Sequence, residues 1–307
     1  MGAFQNIGVN DYLKRYGWKY GIKRGVFMAF PFHIVNDYEN KKILYYNKVE
    51  RKMKKYGKAA FIDPEGLEFG KIEVNNPIWV YWKQGLDQAP PIVRSCIHSI
   101  KKNADTEVIV ITDNNVDQYV KFPLYIMKKL YKGTMSTAAF SDLLRFSLLE
   151  HYGGTWIDST VYLTDKLPEY ITKNDLFAYQ DSFGLINNPA LMSVWLLHSI
   201  PNNEVIRECR NIAFAYWKSQ NYVVEYLLPY IIFTMVLKEY PESFSNIPYA
   251  NSDYTHLLLE HINEKYNKKK VNHILNLSSV HKLSYKLKNE TYLNKENLYH
   301  RIVDNCL

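Results

Sequence analysis

The chain has 307 residues, of which 47% are hydrophobic, enough for one large α/β domain with an accessory segment or for two modest domains. Its three cysteines, Cys96, Cys209 and Cys306, lie far apart. That spacing excludes a C-x-x-C pair or a zinc cluster and favours reduced thiols in a cytoplasmic protein. The net charge of +7 is uneven: residues 1–60 hold 13 Lys+Arg and 4 Asp+Glu, a local +9 that leaves −2 for the rest.

There is no H-E-x-x-H, no G-x-G-x-x-G after a strand and no Walker loop, so zincin, dinucleotide and P-loop readings have no support. No run approaches the roughly 20 apolar residues of a membrane-spanning helix, and the start of the chain carries no signal-peptide pattern.

Residues 1–75 read as a basic, aromatic-rich helical arm. Lys14, Arg15, Lys19, Lys23 and Arg24 interleave with Tyr12, Tyr16, Trp18 and Tyr20, ahead of the short apolar run GVFMAFPFHIV. A second cluster follows at Arg51, Lys52, Lys54, Lys55 and Lys58. Such a segment suits an anionic membrane surface, or a helical arm packed on the main body with a solvated basic face. No recognition fold accompanies the charge, so nucleic acid is not expected as a partner.

Residues 76–165 read as a βαβ half. IWVYW, residues 78–82, is a first strand, IVRSCIHSIKK a helix, and EVIVIT, residues 107–112, a second strand. In parallel sheets ligands bind beyond the carboxyl ends of the strands. Those ends hold Tyr81, Trp82, Gln84 and Asp113. FPLYIMKKLYKG is a short helix and turn.

The stretch STAAFSDLLRFSLLEHYGGTWIDSTVYLT, residues 136–164, organises the chain. Its apolar spacing fits a mostly buried helix, capped by Ser136 or Thr137 and ended by Gly153. The strand TWID follows and continues as TVYLT. Asp142 and Arg145 share one helix face. They read as a structural ion pair, or as facing the site where Asp158 ends its strand, with Asp158 binding a divalent cation and Arg145 offsetting diphosphate charge.

Residues 166–286 read as an acceptor half. DLFAYQ, residues 175–180, is a strand and DSFGLINN a second strand or hairpin. LMSVWLLHSI, EVIRECRNIAFAYWKSQ and VVEYLLPYIIFTMVLKEY read as helices, the last kinked at Pro229. Glu225 sits among apolar residues there, where burial raises a carboxyl pKa unless the acid is paired, or as a first-turn acid favoured by the helix dipole. Residues 287–307 read as a terminal helix or a tail.

SD-x-x-R followed by L-x-x-x-GG-x-x-x-D, together with IW-x-x-W-x-x-G-x-x-x-x-P, resembles the bacterial capsular polysaccharide synthesis glycosyltransferases, relatives of the DXD-containing sugar transferases, over residues 76–286. The resemblance implies a GT-A type α/β fold with a mainly parallel central sheet flanked by helices. It implies transfer of a hexose, galactose or glucose, from a UDP-sugar to a polyprenyl-diphosphate-linked oligosaccharide, with retention and an α-linkage, by a protein peripheral on the inner face of the cell membrane.

By the same resemblance Tyr81 or Trp82 lies near the uracil and Asp113 near the base or ribose. Gln180, Asp181 and Glu225 are the candidate acids and amide near the transferred sugar or acceptor. SSVHKLSYK, residues 278–286, returns to the diphosphate with Lys282 or Lys286 as contacts. A divalent metal, Mn²⁺ or Mg²⁺, would be held by Asp158 with Thr160 and His281. The chain departs from the pattern in one respect: Asp158-Ser159-Thr160 lacks the second acid of the DXD motif. The alternatives are a non-catalytic sugar-nucleotide or glycan-binding member of the fold and a membrane-surface binding protein.

Overall fold

The computed structural model describes residues 9–29, 38–181 and 188–304. In chain order the strands are β1 (Glu68–Phe69), β2 (Ile78–Tyr81), β3 (Val108–Ile111), β4 (Val120–Lys121), β5 (Gly154–Ile157), β6 (Val161–Leu163), β7 (Leu176–Gln180), β8 (Met192–Ser199) and β9 (Val280–Lys282). A five-stranded sheet of order β3-β2-β5-β8-β7 forms the centre, and β1 pairs with β4 and β6 with β9 as two-stranded ribbons.

Strand β2 is parallel to β3 and β5, with Ile78 opposite Val108 and Trp79 opposite Trp156. Strand β8 is antiparallel to both β5 and β7. The sheet is therefore mixed, a correction to the mainly parallel sheet expected. The cause is LMSVWLLHSI, which forms β8 and not a helix. Every residue from Met192 to Ser199 is buried. A strand covered on both faces loses its two-residue alternation and reads like a buried helix. Because β8 runs against both neighbours, β7 points the same way as β5, β2 and β3. Four strands thus still deliver their carboxyl ends to one edge.

The helix Thr137–Tyr152 packs behind this edge. The Ser136 hydroxyl accepts from the Ala139 N–H at 3.2 Å, and the helix ends at Gly153 with φ 68°. Leu143, Leu144, Phe146, Leu148 and Leu149 are fully buried along it, and the Trp79 indole donates to the Gly153 carbonyl at 2.9 Å. Gly154 then passes so close to Pro77 that a Cβ there would meet its carbonyl oxygen at 2.2 Å. The expected continuous strand TWID-STVYLT is broken into β5 and β6 by a turn over Asp158–Thr160, in which the Val161 N–H donates to the Asp158 carbonyl at 2.9 Å.

The N-terminal segment forms helices Val9–Ala29 and Tyr38–Met53. The first is kinked at Gly17 (φ 65°), whose missing side chain admits the Tyr222 ring. Tyr16, Tyr45, Tyr46, Val49 and Met53 are buried, and the Tyr45 hydroxyl donates to the Val224 carbonyl at 3.1 Å. The arm is thus packed on the body. Of the apolar run GVFMAFPFHIV, residues 30–35 lie outside the described residues, as do 182–187 of DSFGLINN. Among the described residues no helix is long and apolar enough to cross a membrane.

The segment VVEYLLPYIIFTMVLKEY is helical only over Leu228–Leu237. Pro229 sits in the first turn, where its missing N–H is not needed, so it starts the helix and does not kink it. Towards the C-terminus, short helices Asn289–Leu293 and Leu298–Val303 dock with Leu298, Tyr299 and Ile302 buried.

Candidate active site

The shared strand edge places the candidate residues. At the end of β2 the Tyr81 hydroxyl donates to Asp113 Oδ1 at 3.2 Å, and Lys83 pairs with Asp113 Oδ2 at 3.5 Å. Burial, reinforced by Asp113, raises the Tyr81 hydroxyl far above its ordinary value, so it stays a donor. Trp82 sits edge-on to Tyr285, ring centroids 5.3 Å apart. Gln84 is exposed in the turn that follows.

Beyond the end of β5, four ionisable groups converge. Arg145, 4% exposed, donates from Nη1 to Asp142 Oδ1 at 2.9 Å and from Nη2 to Asp158 Oδ1 at 3.0 Å. The Asp142–Arg145 ion pair of the first reading is present, and Arg145 also meets Asp158 where that residue follows its strand. The Trp156 indole adds a bond to Asp158 Oδ1 at 3.0 Å, and its ring lies 4.9 Å from the Arg145 guanidinium. On the other side Lys282 Nζ reaches Asp158 Oδ2 at 2.9 Å and Thr160 Oγ1 at 2.7 Å.

Burial works to raise the Asp158 carboxyl, but Lys282 and Arg145, with the bonds from Trp156 and Lys282, outweigh it and hold the group below its ordinary value. Burial wins at Asp142. Arg145 opposes it and Asp158 reinforces it, and the carboxyl is pushed up to about 7. Asp142 is thus the acid of the cluster that titrates near neutrality.

Asp181 follows the end of β7. Burial raises its carboxyl to about 7, against a hydrogen bond from Ser252 and the charge of Lys282. Gln180 is held by its backbone between Ala250 and Ser252, with bonds of 2.9 and 3.0 Å. Two tyrosines escaped the sequence reading. Tyr230 lies within electrostatic reach of Asp181, Asp158 and Arg145. Tyr226 is pushed up to about 12 by desolvation first, then by Asp158 and Asp142. Tyr226 remains 40% exposed, so the cluster opens to solvent beside it.

Arg15 of the N-terminal helix also reaches this opening, 5.5 Å from the Tyr226 ring. Only the pattern of basic and aromatic residues near the N-terminus hinted at such a contribution. Lys286 is exposed at the rim, 5.7 Å from the Tyr285 ring, and desolvation together with Arg15 lowers its pKa.

Two expected residues lie elsewhere. Glu225 is fully buried, paired with Arg24 Nε at 3.0 Å, and its other oxygen accepts from the Tyr226 N–H at 2.8 Å. It precedes the helix Leu228–Leu237 and is not part of its first turn. The acid and tyrosine divide: Glu225 faces the arm and Tyr226 the site. His281 alternates with Lys282 along β9, so it takes the opposite face of the strand. It is buried, its Nε2 lies 3.3 Å from Thr164 Oγ1, and burial lowers its pKa to about 4. Of two surface hollows elsewhere, one is lined by Arg94 and His98, and the other carries a network in which Glu264 meets Lys270 at 2.6 Å and His261 at 2.7 Å.

Residues 27–302 match the family model described as capsular polysaccharide synthesis protein. The chain belongs to this family. The resemblance to the capsular polysaccharide synthesis family, carried by SD-x-x-R and GG-x-x-x-D, is borne out. Among solved structures the chain is similar to one titled PaToxG Glycosyltransferase, with 13% identity, a TM-score of 0.39 and coverage of 86% of this chain and 98% of that one. No curated protein matches it.

The divalent metal expected from the resemblance meets the following donor set. Asp158 Oδ1 already accepts from Arg145 and Trp156, and Oδ2 from Lys282. Thr160 accepts from Lys282, and His281 is on the far face. Among the described residues no three His, Cys, Asp or Glu side chains could together hold a metal ion. The set Asp158, Thr160 and His281 is not assembled and does not fit a divalent cation, because an ammonium already lies between its first two members.

Proposed function

We propose that this capsular polysaccharide synthesis protein is a glycosyltransferase that moves a hexose, galactose or glucose, from a UDP-sugar to a polyprenyl-diphosphate-linked oligosaccharide, with retention of configuration. The reading is supported by one observation above others: Arg145 and Lys282, flanking Asp158 at the carboxyl edge of the sheet, form a cationic pair suited to a diphosphate.

In this reading Trp82 and Tyr285 take the uracil, and Tyr81 with Asp113 the base or ribose. As the bond from the anomeric carbon to the diphosphate oxygen breaks, its electron pair stays on that oxygen. Arg145 and Lys282 stabilise the charge that develops. The acceptor hydroxyl approaches on the same face and bonds to the anomeric carbon, and its proton passes to the departing phosphate oxygen. Asp181 and Gln180, at the end of β7, with Tyr226 and Tyr230, border the sugar and acceptor.

The acceptor's lipid carrier places the protein at the inner face of the membrane. The surface of the first helix supports that placement: Trp18 (70% exposed) and Ile22 (49%) lie together one turn apart, flanked by exposed Lys14, Lys19 and Lys23.

A screen for slow hydrolysis of UDP-, GDP- and CMP-sugars tests the reading. Release of hexose from a UDP-sugar alone, lost in Asp158→Ala, is expected. Hydrolysis confined to GDP- or CMP-sugars, or unchanged in Asp158→Ala, would refute it.

A further inference from the structure

We propose that the Lys282 ammonium takes the place of the divalent cation, so that this glycosyltransferase binds and activates the donor diphosphate without a metal. The inference rests on the UDP-sugar reading above and deepens it.

In a two-acid sugar-nucleotide site, the cation bridges acid side chains and diphosphate oxygens. Here Thr160 stands at the position of the second acid, and Lys282 Nζ bridges Asp158 Oδ2 at 2.9 Å and Thr160 Oγ1 at 2.7 Å. A threonine hydroxyl is a neutral acceptor, so one positive charge beside one carboxylate leaves the position balanced. A divalent ion there would add two charges within a few ångströms of both Lys282 and Arg145, where like charges repel strongly in a partly desolvated site.

An ammonium has three donors. Two are used on Asp158 and Thr160, and the third is left for a ligand. The Lys282 side chain is 18% exposed, so that donor is reachable. The β6–β9 ribbon fixes the lysine's position, since Val161 is in register with Lys282 and the Leu283 N–H donates to the Thr160 carbonyl at 2.8 Å. Positive charge is thus built into the fold at the place where a metal-dependent enzyme recruits it from solution. The group-transfer step is unchanged: the departing phosphate oxygen keeps the bonding pair and takes the acceptor proton.

The test is UDP binding by calorimetry, with metal-stripped protein in EDTA and again with added Mn²⁺. The parent is expected to bind UDP equally in both, and to leave the electron paramagnetic resonance signal of free Mn²⁺ undiminished. Lys282→Met should weaken UDP by at least about tenfold, and Mn²⁺ should not restore it. Lys282→Arg should retain most of the affinity, which separates loss of charge from loss of fold. Lys282→Asp, which restores a second acid beside Asp158, should make UDP binding Mn²⁺-dependent. UDP binding by the parent only when Mn²⁺ is present would overturn the inference while leaving the donor reading intact. Absence of UDP binding in both buffers would overturn both, and equal affinity in Lys282→Met and parent would overturn the role of the lysine.

Discussion

Replacing Asp142 by Asn changes one titration and little else, and its effect can be worked out from the site. In the unfolded chain the Asp142 carboxyl has its ordinary value of 3.8, and in the fold burial pushes it up to about 7. Between these values the unfolded chain has released the proton and the folded chain still holds it. The folded state then binds more protons, so stability falls as pH rises through the window from about 4 to about 7. A shift of about three units corresponds to at most about 4 kcal/mol. The side chain is 23% exposed, so solvent screening reduces this to roughly 1–2 kcal/mol.

Asp142→Asn removes the titration while its amide oxygen still accepts from Arg145. The assay is urea unfolding of parent and variant at about pH 5 and about pH 8. The parent should lose about 1 kcal/mol more than the variant between the two, since part of the window already lies below pH 5. Contributions common to both proteins cancel in the comparison. These include Asp181, also raised to about 7, and His198 and His281, both lowered to about 4 by burial. The same titration reaches the ligand. With Asp142 protonated, Arg145 and Lys282 face only the charge of Asp158. Once it ionises the four groups sum to zero, so UDP affinity should fall more steeply with pH in the parent than in the variant. Equal pH dependence of both proteins, in unfolding and in UDP binding, would refute the assignment of a raised Asp142.

Two further outcomes are expected. Gly154→Ala puts a Cβ at 2.2 Å from the Pro77 carbonyl oxygen and an alanine at φ 94°. Backbone strain and displacement of the Ile78 segment together should cost at least about 3 kcal/mol, seen as a melting point lower by about 5 °C or more; an unchanged melting point would show that the strand junction is looser than this. Trp18→Ala with Ile22→Ala should weaken sedimentation with phosphatidylglycerol-containing vesicles by about tenfold or more while leaving UDP binding unchanged, because both side chains face solvent on the arm. Unaltered vesicle binding would return the arm to a purely packing role.

Local chemistry determined much of this protein directly from its sequence. Ser136 and Gly153 bound the central helix because a hydroxyl satisfies an unpaired amide and a glycine accepts φ 68°. The i,i+3 spacing put Asp142 and Arg145 on one face, and the β-rich runs IWVYW and EVIVIT located β2 and β3. The SD-x-x-R and GG-x-x-x-D pattern carried the family.

What the tertiary structure decided depends on contacts between distant residues or on environments without periodicity. Burial on both faces hid β8, and with it the mixed sheet. Glu225 and Tyr226, adjacent in sequence, face different neighbours because the segment before Leu228 is irregular, so the carboxylate pairs with Arg24 and the phenol joins the site. His281 and Lys282 differ by one residue on a strand, and the two-residue period sends only the lysine to Asp158. The sequence marks Thr160 as a missing acid. Only the pairing of β6 with β9, across more than a hundred residues, brings Lys282 to that position, because the register of two strands is set by the packed body and not by either strand alone.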